Sequence, residues 1–180
     1  MERKRTIDDI KSQVQNLIQE NSHREVTSES KHNLSGIYMV YVDNFTSEMV
    51  VPFYIGKSKD IQRRYKQHFT ELSALNRLSY DEYYKYFFSK SISFYDGTFK
   101  TTKFFKYMIE NNCTLQNYRL VILEEVEVED LDQKEQAYFQ DLLPSFFGFN
   151  QIDSLLKGIQ LRFSKPSIIQ AELEDYLRAL

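Results

Sequence analysis

Two short runs of β-branched and aromatic residues, separated by a polar stretch only long enough for a turn, constrain this chain more than any other feature. Gly36-Ile37-Tyr38-Met39-Val40-Tyr41-Val42 reads as a buried strand. Asp43 to Met49 supplies turn chemistry and Val50 to Gly56 reads as the returning strand, so the two runs predict a β-hairpin. Pro52 has no amide hydrogen for a ladder and belongs at an edge or a bulge. An isolated hairpin is marginal in water, so this one must bury a face against other elements.

Those elements follow along the chain. After Gly56, the segment KSKDIQRRYKQHFTEL carries Ser58 or Asp60 as a helix cap and an apolar stripe of Ile61, Tyr65, Phe69 and Leu72. Tyr118 to Val126 predicts a third strand, and Glu129 to Leu143 a helix stopped by Pro144. Upstream, Ile7, Ile10, Val14, Leu17 and Ile18 form one stripe of a helix over residues 6–20, followed by a polar linker from Asn21 to Leu34. Residues 79–112 are mostly helical in pattern with a break at Asp96-Gly97, and the tail holds a further helix after Pro166. The expected fold is α+β: a small three-stranded antiparallel sheet, hairpin plus third strand, flanked by helices, with extra N- and C-terminal helices. The expected organisation is a helix and linker over 1–33, a core domain over 34–151 with an aromatic insertion at about 73–100, and a helical extension over 152–180.

A chain of 180 residues fits one such domain with terminal additions. It has no run of about 18 uncharged apolar residues to span a membrane. MERKRTIDDIKSQ has no apolar block after its basic residues, so no secretory signal is expected. Cys113 is the single cysteine, which excludes an internal disulfide and a cysteine-rich zinc site and suits a reducing cytoplasm. Net charge is -3, yet the charges segregate. From Lys57 to Lys106 eleven Lys/Arg stand against five Asp/Glu, a balance of +6; from Tyr107 to Leu156 two stand against ten, a balance of -8. A basic face can therefore meet phosphates on a chain that is acidic overall, because charges act over roughly 8 Å in physiological salt. Chance segregation of solvated charges would give the same numbers.

Two features carry chemistry. Arg64 and His68 stand four apart on the helix that starts at Asp60, stacked at the border of its apolar stripe. They read either as a solvated pair beside a buried face or as a paired site. Glu135 falls in the middle of the face formed by Leu131, Tyr138, Phe139 and Leu142. A carboxylate there costs several kcal/mol unless it meets a metal, a cation or hydrogen-bond donors. A metal ligand and a rim carboxylate paired with an arginine are both consistent with that position.

Gly36-Ile37-Tyr38 and Tyr54-Ile55-Gly56, on paired strands, resemble the two motifs that name the GIY-YIG nuclease superfamily. In that family an arginine follows the second glycine by about eight residues and a histidine comes four later, matching Arg64 and His68. A glutamate on a later helix and an asparagine near the end of the domain match Glu135 and Asn150. The resemblance covers Leu34 to Gln151. The chain departs from the family in a rather long hairpin loop and in roughly twenty extra residues between His68 and the third strand.

The resemblance implies a DNA endonuclease hydrolysing phosphodiester bonds with one Mg²⁺ or Mn²⁺ ion held by Glu135. Arg64 would neutralise the phosphate, Tyr38 act as general base with His68 either as its proton acceptor or in contact with the water, Tyr54 orient the reactants and Asn150 tie the last segment to the site. Lys57, Lys59, Arg63, Lys66 and Lys103 are the expected DNA contacts. Between Tyr80 and Tyr107 twelve of 28 residues are Tyr or Phe, interleaved with five lysines. That segment reads as DNA contact or as a satellite core with an interface. A restriction or mobile-element defence nuclease, acting as a homodimer in the cytoplasm, heads the possibilities. A structure-selective repair nuclease, a non-catalytic nucleic-acid binder on the same fold and a protein-interaction module are the alternatives.

Overall fold

The computed structural model describes residues 7–43, 53–77, 79, 81–82, 85, 104–105, 107–109 and 111–142. Three strands, β1 (Gly36–Val42), β2 (Phe53–Ser58) and β3 (Tyr118–Glu125), form an antiparallel sheet in the order β2-β1-β3. The first and third strands lie where the residue pattern predicts them, the returning strand runs two residues past its expected end at Gly56, and the fold is the expected α+β. β1 is central and every one of its residues is buried. Its unbroken apolar run suits a strand covered on both faces.

Alternation sorts the side chains. Ile37, Met39, Phe53, Ile55, Val121 and Leu123 point into one core, while Tyr38, Val40, Leu120 and Ile122 point into the other. Helices α1 (Ile7–Asn21) and α3 (Leu131–Leu142) cover the first face through Ile10, Val14, Ile18, Leu131, Phe139 and Leu142. Helix α2 (Ile61–Leu75) covers the second through Ile61, Tyr65 and Leu72, joined by Phe104, Phe105, Tyr107 and Met108. Asp60 caps α2 as expected, its carboxylate accepting from the Arg63 amide at 2.8 Å. α3 starts at Leu131, after a 3₁₀ turn over Val128–Asp130, two residues later than the periodicity predicts.

Pairing registers decide what meets what. Tyr38 lies opposite Gly56 and Val40 opposite Tyr54 across the hairpin. Between β1 and β3 the register shifts at Ile37/Tyr38: Tyr38 pairs with Ile122 and Ile37 with Glu124. The extra residue, Leu123, is a bulge that keeps both Leu123 and Glu124 on the α3 side, where Glu124 meets Lys134 at 2.5 Å.

The stretch expected as a linker, Asn21 to Leu34, is tied down. Ser22–Arg24 makes a 3₁₀ turn, Glu25 forms a bridge to Val121, and the Val26 amide donates to the Leu120 carbonyl at 2.8 Å. The reason is the free edge of β3, whose unpaired backbone groups need partners. Val26, 2% exposed, anchors the contact. The rest of the hairpin turn with Pro52, the break at Asp96-Gly97, Pro144, the extension over 152–180 and most of the aromatic insertion lie outside the described residues. Among the described residues, no helix is long and apolar enough to cross a membrane.

Candidate active site

Tyr38 can lean across the hairpin because its neighbour on β2 is a glycine. A Cβ at Gly56 would lie 2.6 Å from both Cζ and Oη of Tyr38 and 2.7 Å from Cε1 of Tyr54. The space a side chain would fill is taken by the two motif tyrosines. Helix α2 crosses this face and adds His68 from its buried side. The ring centroids of Tyr38, Tyr54 and His68 form a near-equilateral triangle of 6.3, 6.0 and 6.1 Å. Sequence spacing places His68 at the border of the apolar stripe, but it is buried at 3% exposure. The tyrosine pair supplies the polar surface that lets an imidazole enter this core.

The Tyr38 hydroxyl lies 3.1 Å from His68 Nε2, and Arg64 Nε donates to the same oxygen at 3.3 Å. Arg64 can only donate, so the Tyr38 oxygen accepts from it, and the Tyr38–His68 bond runs in the direction set by the imidazole tautomer. Arg64 also donates from Nη1 to Gln67 at 3.1 Å, while the Tyr54 hydroxyl bonds to Arg64 and Tyr38. Burial pushes the Tyr38 phenol far above its ordinary range, with Tyr54 adding to the rise and Arg64 opposing it. Tyr54 is raised likewise, first by burial and then by the charge of Glu135. Both phenols are neutral here, so proton removal from Tyr38 needs a partner. His68 is in place to be that partner.

Glu135 approaches from the other side of the sheet. It sits on α3 with its side chain 17% exposed, and its charge reaches both tyrosines around the edge strand β2. Lys57, the residue after Gly56, points to the α3 side and lies 2.6 Å from Glu135 Oε2 and 2.6 Å from Asp132 Oδ1. Burial works against the Lys57 ammonium, yet hydrogen bonds to Asp132 and Glu135 outweigh it and raise its pKa. The buried-face carboxylate therefore has a cation partner, a lysine rather than an arginine. An open depression of about 290 Å³ adjoins the site, lined by Lys57, Ser58, Lys59, Asp60, Arg63, Arg64 and Gln67. Three of the expected phosphate contacts, Lys57, Lys59 and Arg63, line it together with Arg64; Lys66 is exposed on α2 outside it. Asn150 and Lys103 lie outside the described residues.

Glu135 is a hard oxygen donor of the kind a divalent ion takes, but Lys57 occupies its Oε2 at 2.6 Å. Among the described residues no three His, Cys, Asp or Glu side chains cluster as a ligand set. An ion at Glu135 would draw most of its shell from waters and phosphate oxygens. Two members of the arrangement escaped the sequence reading. Asp132 stands three before Glu135, and Gln67 three after Arg64, so each shares a helix face with its partner. That spacing was the available signal. Comparisons of the chain with family models, with curated proteins and with solved structures return no match.

Proposed function

We propose that this protein is a metal-dependent DNA endonuclease of the GIY-YIG type. The observation that carries the reading is the convergence on one hydroxyl: Tyr38 held between Arg64 and His68, with Gly56 leaving the room and Glu135 within electrostatic reach. In this reading the scissile phosphate lies in the depression against Arg64, whose planar guanidinium stabilises charge developing on the phosphoryl oxygens. Tyr38 takes a proton from the attacking water as its own passes to His68 Nε2, so the buried phenol never has to carry a full charge. Tyr54 orients the nucleophile through its hydrogen bonds to Arg64 and Tyr38. Glu135 would hold one Mg²⁺ or Mn²⁺ ion, which would supply Lewis acidity to the reaction. Lys59 and Arg63, both exposed and lining the depression, take neighbouring phosphates.

A restriction or mobile-element defence enzyme is the proposed setting, acting in the cytoplasm and as a homodimer where both strands are cut. Incubation with supercoiled plasmid tests the activity. Nicking or linearisation should require Mg²⁺ or Mn²⁺, and Arg64→Ala and Glu135→Ala should each slow it by at least about a hundredfold. Cutting by both variants at the wild-type rate would refute the site.

A further inference from the structure

We propose that the Glu135 carboxylate is an exchange site, at which the Lys57 ammonium and a divalent cation are alternative occupants and from which Asp132, or a phosphate seated in the adjoining depression, receives the ammonium. The inference rests on the reading of Glu135 as the ion's ligand. Lys57 Nζ lies 2.6 Å from Glu135 Oε2, on the oxygen an ion at about 2.0–2.6 Å would need. Two cations cannot share that oxygen without strong repulsion in a setting only 17% exposed. The ammonium on Oε2 repels an ion at either oxygen of this carboxylate, so the two compete for it.

The surroundings give it somewhere to go. Asp132 holds the same nitrogen at 2.6 Å and is 83% exposed, so that pairing asks for little desolvation. A four-carbon stem lets the ammonium pivot without moving β2. Lys57 also lines the depression beside Lys59, Arg63 and Arg64, where a phosphate would draw it. One lysine thus plugs the carboxylate in the ion-free protein and adds a positive charge to the phosphate site once the ion is bound. Lys57 is in this sense a positioning residue. Because binding couplings are reciprocal, an anion in the depression that draws Lys57 away raises affinity for the ion.

Mn²⁺ binding to the full chain without DNA, read from the loss of the free-ion electron paramagnetic resonance signal, tests the exchange. Lys57→Met should bind Mn²⁺ about tenfold tighter than wild type, since removing the competitor leaves the carboxylate open. Lys57→Arg, which keeps a cation on Glu135, should bind no tighter than wild type. Lys59→Met removes an equal charge from the same depression without touching the carboxylates, and should change affinity less than twofold. Glu135→Gln should abolish binding. A gain under threefold for Lys57→Met, or an equal gain for Lys59→Met, overturns the exchange while Glu135-dependent binding upholds the metal reading. Binding unaffected by Glu135→Gln, or absent from every variant, overturns both.

Discussion

The Tyr38 hydroxyl meets a guanidinium, an imidazole and a second phenol at once. Its geometry depends on an atom that is missing: the Cβ of Gly56. Gly56→Ala would force a methyl into contact with two aromatic rings whose other sides pack into a core. The expected cost is about 1–3 kcal/mol, read as a lower unfolding midpoint in urea, with loss of the proposed activity. A variant as stable as wild type would mean that Tyr38 is not held where described. At this scale the sequence was partly legible. Residue spacing brought Arg64 and His68 to one side of α2, but whether a stripe-border residue is buried depends on what packs there. The polar tyrosine pair across the sheet decided it for His68. Glu135 stood out as a charge on an apolar face, whereas its partner Lys57 is on another element, and no local pattern joins the two.

Among the elements, those set by local chemistry were readable in advance. β1 carries an unbroken apolar run, and α2 begins where Asp60 can cap it. Asp60→Ala removes the acceptor for the Arg63 amide. The expected loss is about 1 kcal/mol, equivalent to a fall of roughly 2–8 °C in Tm by calorimetry. An unchanged Tm would show that the start of α2 is held by Ser58 and tertiary packing instead. Elements set by distant partners were not readable. Residues 21–34 look like a linker because their composition is polar, yet the edge of β3 almost 100 positions later recruits Glu25 and Val26. The bulge at Leu123 belongs to the same class: it exists in the pairing of two strands, and neither sequence announces it.

At the scale of the whole molecule, the sheet divides the candidate site. Tyr38, Tyr54, Arg64 and His68 lie on the α2 face, and Glu135 lies on the α3 face. They communicate around β2, an edge strand, where Gly56 opens one side and Lys57 reaches the other. The segregated charge agrees with this layout: the basic stretch supplies Lys57 at the end of β2 and helix α2, while the acidic stretch supplies α3.

The central claim is that Tyr38 and Arg64 act as one unit on a phosphate. A double-mutant cycle on plasmid cleavage in Mn²⁺ tests it most directly, with Tyr38→Phe, Arg64→Ala and the combined variant. Each single change should slow cleavage by at least about a hundredfold, and the pair should be no more than about tenfold slower than the worse single. Losses that multiply through the cycle, or a Tyr38→Phe variant that cuts at the wild-type rate, would contradict it.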